Sequence, residues 1–111
     1  MSRICTLAQL DHALAQGTFL LFVRSLLGEL GHAAFAEYES WAARELQTAT
    51  GWIDADADPE IAASAFARTG VQDSRPKAMF LRRGRPSWTA GENGITQASL
   101  HSAFGWPLPA T

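Results

Sequence analysis

The chain has 111 residues, of which 47% are hydrophobic and 18% are charged, and its formal net charge is −2. This length predicts one domain over residues 1–111, which can bury roughly two thirds of its unfolded surface in a single core. The near-neutral balance of charge argues against disorder and against a general affinity for nucleic acid or an anionic membrane. The single cysteine, Cys5, excludes an intramolecular disulfide, a CxxC pair and a multi-cysteine zinc site.

The amino-terminal residues lack the pattern of a secretory signal. Asp11 and His12 interrupt the apolar part of MSRICTLAQLDHALAQ, and no small-residue cleavage site follows it. The apolar runs elsewhere are too short to span a bilayer. We therefore expect a cytosolic protein.

The first half of the chain alternates helices with strands. Thr6 and Gln9 form a capping box before leucines at helical spacing, which predicts a helix over 6–16 that ends at Gly17. The continuous apolar run over 18–23 predicts a central strand that helices cover on both faces. An apolar stripe from residue 30 to residue 46 predicts the longest helix. Its charged residues are expected mostly on the other faces: Glu37, Glu39, Arg44 and Glu45.

The second half predicts one more strand and helix, then a hairpin and a last helix. A strand over 50–54 precedes a helix with Asp58 as its N-cap and Gly70 as its end. Strands over 77–81 and 86–90 flank a turn at Gly84. The last helix is expected to start after Thr96 and to end at Gly105, and residues 105–111 are expected to form an extended tail.

The predicted order of elements, α-β-α-β-α-β-β-α, defines an α/β fold. The β-α-β unit requires a right-handed parallel crossover, and the hairpin adds two antiparallel strands to the same sheet. The expected architecture is thioredoxin-like, with a four-stranded mixed sheet flanked by four helices.

Several segments resemble one known family. LFVRSLLGELGHAAFAEYESWA, DADADPEIAASAFARTGV and DSRPKAMFLRRGRPSW, together with GIT and the following Leu100, are similar to segments of the small monothiol bacilliredoxins. These are thioredoxin-fold proteins that act on mixed disulfides with the low-molecular-weight thiol bacillithiol. The resemblance extends over residues 5–104. It implies a function related to bacillithiol redox homeostasis.

The resemblance also implies a redox site without its nucleophile. The family's His-Ser pair corresponds to Arg24 and Ser25, and its Cys-Pro dipeptide corresponds to Gly28 and Glu29. Because glycine cannot attack a disulfide, we expect Ser25, Gly28 and Glu29 to form a vestigial site. The amide groups of residues 28–31 would still suit an anion at a helix start, although Glu29 would compete with it.

A second part of the implied site is a proline segment. The family's Ser-Pro-Gln, which contains a cis-proline, corresponds to Arg75, Pro76 and Lys77. The resemblance implies a cis bond before Pro76 and a groove that pairs with an extended substrate segment. Arg24, Arg75 and Lys77 would give this groove positive charge, which favours a protein or an anionic low-molecular-weight thiol as the ligand. The alternative is that these side chains are solvated surface charges.

Two further patterns are weaker. Asp54, Asp56 and Asp58 have the spacing that begins a calcium-binding EF-hand loop, but Pro59 and Ala65 stand where that loop needs Gly and Glu. The three histidines lie in no ligand-spaced motif, so we expect no metal and no cofactor. The RRGR turn beside Trp88 suits a solvated hairpin better than a nucleic-acid site.

Three functions remain open. The leading hypothesis is a bacilliredoxin-like binding or regulatory module that lacks catalysis. The alternative enzyme is a divergent thiol-disulfide oxidoreductase that uses Cys5, although from its position before the first helix we expect a partly buried, inert Cys5. The third hypothesis is a structural or partner-docking subunit. The sequence does not predict the oligomeric state.

Overall fold

One mixed sheet forms the centre of the molecule. The computed structural model describes residues 2–25, 32–71, 77–91 and 95–103. Its strands follow the order β1-β3-β2-β4-β5. They are β1 (Ser2–Arg3), β2 (Thr18–Arg24), β3 (Ala49–Asp54), β4 (Ala78–Arg82) and β5 (Arg85–Ala90). The first three strands are parallel, whereas β4 is antiparallel to β2 and to β5. The four predicted strands are confirmed, and the two-residue β1 adds an edge that the sequence did not predict.

Four helices in the described part of the chain cover the sheet, two on each face. They are α1 (Leu7–Leu14), α2 (His32–Glu45), α3 (Pro59–Thr69) and α4 (Gln97–Ala103). The capping box of α1 is confirmed, since the Gln9 amide donates to Thr6 Oγ1 at 3.2 Å and the Thr6 amide donates to Gln9 Oε1 at 3.2 Å. The predicted stop of α4 at Gly105 and the tail over 105–111 lie outside the described residues.

The start of α3 differs from its prediction. Asp58 occupies the N-cap position, but its side chain makes no capping hydrogen bond. Its carboxylate accepts a hydrogen bond from Arg3 Nη2 at 3.1 Å instead. This hydrogen bond ties the start of α3 to the edge strand β1.

The end of α3 is as predicted, because Gly70 adopts the left-handed conformation with φ 77°.

The core consists of two apolar layers, one on each face of β2. Alternate side chains of β2 point to opposite faces, so its continuous apolar run supplies both layers. The layer under α1 and α3 is formed mainly by Leu10, Phe19, Leu21, Val23, Ile53, Ala65, Met79 and Leu81. The layer under α2 and α4 is formed by Leu20, Phe22, Phe35, Ala42, Leu46, Ala78, Phe80, Ile95 and Leu100.

The β4–β5 hairpin has an irregular edge strand. Its turn contains Gly84 at φ 79°, as the sequence predicts, and a Cβ there would lie 3.0 Å from the Leu14 carbonyl oxygen. The pairing shifts by one residue between Phe80 and Leu81, so that Leu81 is opposite Pro86. The side chains of β5 alternate between exposed and half-buried.

None of the helices among the described residues is long and apolar enough to cross a membrane.

Candidate functional site

The carboxyl ends of the parallel strands meet at one edge of the sheet, called here the carboxyl edge. Arg24 ends β2 there and Ser25 follows it, and Asp54 ends β3. Lys77 joins them, because its carbonyl accepts from the Val23 amide at 2.8 Å and its amide donates to the Ala90 carbonyl at 2.7 Å. The structure thus brings the residue after the predicted cis-proline next to the end of β2.

Part of the predicted site lies outside the described residues: Gly28, Glu29, Arg75 and Pro76. The cis bond and the Pro76 groove therefore stay predictions. The structure describes Arg24, Ser25, Lys77 and Cys5.

Arg24 is held inside the protein by Glu39 of α2. Its Nη2 lies 2.8 Å and its Nε lies 3.1 Å from Glu39 Oε2. The prediction that Arg24 is a solvated charge is wrong, since only 6% of the residue is exposed and Glu39 is 0% exposed. The opposite charges cancel, so Arg24 adds no net positive charge to the carboxyl edge in this arrangement.

Trp52 supports Arg24 from the neighbouring strand. The Arg24 guanidinium carbon lies 3.7 Å from the centre of the Trp52 ring, and that of Arg3 lies 5.3 Å away. Both distances are within the range of cation–π attraction. The planar guanidinium thus has a carboxylate at one side and an aromatic ring at its face.

The Glu39 carboxylate is incompletely paired. Both Arg24 nitrogens bind Oε2, and Oε1 is buried without a hydrogen-bond partner among the residues that the structure describes. Burial raises the pKa of Glu39 to about 7, although the hydrogen bond and the charge of Arg24 lower it. The Glu39 carboxyl therefore gains or loses its proton near neutral pH.

The sequence prediction placed Glu39 on an outer face of α2, which is wrong. Phe35, Glu39, Ala42 and Leu46 repeat at intervals of four, three and four residues, and all four are buried. This is the spacing of one helical face. The signal was present in the sequence, but a carboxylate is seldom assigned to an apolar stripe unless its buried partner is known.

Ser25 is anchored to the loop that follows β3. Its Oγ donates to Asp56 Oδ1 at 3.2 Å, and the residue is buried. Asp54 Oδ1 accepts from the amides of Asp56 and Ala57, each at 3.0 Å. The acidic run is thus a turn that caps its own backbone. No group of three or more His, Cys, Asp or Glu suited to a metal occurs in the described part of the chain.

Cys5 follows β1 and lies at the carboxyl edge. The expectation of a partly buried thiol is wrong, because Cys5 is exposed. Its Sγ lies 3.4 Å from Gln9 Oε1. It lines a surface pocket of about 350 Å³ with the first turn of α3, including Asp58, Pro59 and Glu60. One strand separates β1 from β2, so the thiol is about 10 Å from the end of β2 in the plane of the sheet.

Comparison with known proteins identifies the fold. No protein-family model and no curated protein matches the chain. A solved structure described as a candidate oxidoreductase with a thioredoxin fold aligns with a TM-score of 0.76 at 13% identity, covering 92% of each chain. A cysteine-to-serine mutant of a thioredoxin from Entamoeba histolytica aligns with a TM-score of 0.66 at 16% identity, covering 95% of this chain and 97% of the other.

These likenesses and the sheet order define a thioredoxin-fold protein. The predicted fold class is confirmed. The fold is one that also occurs in thiol redox proteins, but it does not by itself assign their chemistry to this chain.

Proposed function

We propose that this protein is a bacilliredoxin-like binding or regulatory module of bacillithiol redox homeostasis without thiol catalysis at the family position. The observation that carries the proposal is the side-chain chemistry at the end of β2. Arg24 is paired with Glu39, Ser25 donates to Asp56, and residues 24–31 contain no cysteine. Attack on a disulfide needs a thiolate, whereas Ser25 supplies only a hydroxyl, which donates to the Asp56 carboxylate.

The proposed ligand is a carboxylate-bearing thiol or an extended protein segment. It would bind at the carboxyl edge, between the end of β2 and the Arg75–Lys77 segment, where the family resemblance implies a substrate groove. Lys77 is half-buried and its backbone continues the β2–β4 pairing, so its position is fixed relative to the site. Its ammonium group would supply the charge that attracts an anionic ligand. We expect this binding to occur in the cytosol.

Titration with bacillithiol and with its disulfide, followed by amide NMR, tests the binding. We expect shifts concentrated at Val23–Ser25 and Lys77, and weaker affinity in Lys77→Glu. Arg85→Glu is the matched control, because it makes the same charge change at the exposed turn at the opposite end of β5. Absence of shifts at millimolar ligand, or equal weakening by both substitutions, would overturn the proposal.

A second candidate function is a divergent thiol-disulfide oxidoreductase that uses Cys5. The observation in its favour is the exposure of Cys5 at the carboxyl edge beside the first turn of α3. A disulfide-reduction assay with the wild type and Cys5→Ser separates the two functions. Wild-type turnover that disappears in Cys5→Ser would establish the enzyme and exclude a binding-only role. We expect no turnover from either protein.

A further inference from the structure

The geometry around Arg24 points to a switch in the ligand-free protein. We propose that Glu39 is a proton-operated latch for Arg24: the carboxylate holds the guanidinium inside, and protonation releases it toward the carboxyl edge to bind an anion. The proposal deepens the proposed function, and its consequence for ligand binding rests on that function. The latch itself is independent of any ligand.

The first observation is that the pair is a poor permanent ion pair. Arg24 and Glu39 form a one-oxygen contact in which Nη2 and Nε both bind Oε2, rather than the two parallel bonds of a guanidinium–carboxylate fork. Glu39 Oε1 stays buried without a partner in the described residues. A buried carboxylate with one unpaired oxygen has lost hydration that the partner only partly replaces. The ionised state is therefore costly, and protonation relieves this cost.

The second observation is that Glu39 is the only carboxylate paired with Arg24 among the residues that the structure describes. Arginine stays protonated at any physiological pH, so neutralising Glu39 leaves a buried cation without a counterion. Trp52 offers a cation–π contact, which is much weaker than a buried ion pair. Arg24 is the last residue of β2, and a flexible side chain at a strand end can reach solvent at the carboxyl edge. Release follows from the loss of the carboxylate charge.

The charged groups around Glu39 support this sequence of events. From β2 it faces Arg24, and β3 contributes neutral Trp52 with Asp54 opposite Arg24 in the strand register. Arg3 of β1 lies on the other side of Trp52 and is paired with Asp58. The positive charge of the amino terminus also lowers the pKa of Glu39, by less than Arg24 does.

The layer under α2 is formed by apolar and aromatic side chains, among them Phe35, Tyr38, Ala42, Phe80, Trp88 and Leu100. Glu39 is buried on the same helical face as Phe35 and Ala42. The side chains of His32 and His101 are outside the described residues. Burial raises the pKa of Glu39 to about 7, so a change in pH around neutrality would operate the latch.

NMR on the ligand-free protein tests the latch directly. We expect the Arg24 Nε–H signal to be protected from solvent exchange at pH 8 and to shift and lose protection by pH 6. The midpoint of this change should coincide with the titration of the Glu39 carboxyl carbon, and the Trp52 indole signal should move with it. An Arg24 signal that stays unchanged while Glu39 titrates would overturn the proposal.

Two variants separate the latch from general effects of pH. Glu39→Gln removes the titrating group, so we expect the Arg24 signal to be insensitive to pH. Asp58→Asn is the matched control, because it removes the carboxylate that pairs with the other arginine at Trp52 and should leave the Arg24 transition intact. A transition that persists in Glu39→Gln, or vanishes in Asp58→Asn, would contradict the latch. Should Glu39→Gln fail to fold, the coincidence of midpoints in the wild type decides the matter.

The affinity for malate, measured at several pH values, tests whether release of Arg24 strengthens the binding of an anion. Malate is a dicarboxylate that stays ionised from pH 6 to pH 8. With the Glu39 pKa at about 7, the protonated fraction rises about tenfold as the pH is lowered from 8 to 6, so the apparent affinity for malate should rise about tenfold over the same change. An Arg24 transition without any malate binding would contradict the proposed function and leave the latch established. Malate binding with no change across this range would contradict the latch.

Discussion

Replacing Glu39 with glutamine should remove a large pH dependence from the stability of the protein. The unfolded chain releases this proton near the ordinary pKa of 4.5 and the folded chain near 7, because burial disfavours the carboxylate. Between these values the folded state holds the extra proton, so the free energy of unfolding decreases as the pH rises through this window. A difference of this size corresponds to about 3 kcal/mol of stability, present below pH 4.5 and lost above pH 7.

Urea unfolding at several pH values measures this effect. The difference in free energy of unfolding between the wild type and Glu39→Gln should change by about 3 kcal/mol from pH 4.5 to pH 8, because other titrating groups cancel in the difference. Glu37→Gln is the control, since Glu37 is an exposed carboxylate on the same helix. Its difference from the wild type should stay within a few tenths of a kcal/mol. Parallel stability curves for the wild type and Glu39→Gln would refute the reasoning.

Three further predictions concern the ion pair, the hairpin turn and the missing thiol. Arg24→Met should cost roughly 3–5 kcal/mol in urea unfolding at pH 8, and the added change Glu39→Leu should recover most of it, because no unpaired charge then stays buried. Gly84→Ala should lower stability by at least about 1 kcal/mol, owing to its positive φ and its contact with a carbonyl oxygen, while Gly17→Ala, which has open space, should not. Under the proposed function, Gly28→Cys places a thiol where the bacilliredoxins carry theirs, so release of bacillithiol from a mixed disulfide should appear with free bacillithiol as the reductant; continued inactivity would contradict the proposed correspondence of Gly28 to that position.

The sequence predicted the fold well wherever a local signal coincided with the tertiary structure. The run over 18–23 became a strand buried on both faces, and the pairing of Thr6 with Gln9 started α1. Gly70 and Gly84 took the left-handed conformations that end a helix and close a turn. In each case the conformation depends on a few neighbouring residues, so it can be predicted from that short segment of the sequence.

The candidate site was less predictable, because its chemistry depends on pairs that are distant in the sequence. Arg24 and Glu39 are 15 residues apart, and each alone indicates a solvated surface charge. Only the docking of α2 on β2 turns them into a buried pair. β1 was not predicted for a different reason: a two-residue strand is too short to show an alternation of apolar and polar residues. The pocket that Cys5 lines with the first turn of α3 likewise depends on tertiary structure, because Cys5 and that turn are more than 50 positions apart in the sequence.

The two outer strands of the sheet have a bearing on how the protein behaves at high concentration. A long, regular edge strand offers its free amide and carbonyl groups as a template for pairing between molecules. Here one edge is only two residues long, and the other contains a proline, which lacks an amide hydrogen, beside a shifted pairing. Both features interrupt the row of backbone groups that a second sheet would need. The described sheet edges are therefore poorly suited to growth into fibrils or ladders of stacked copies.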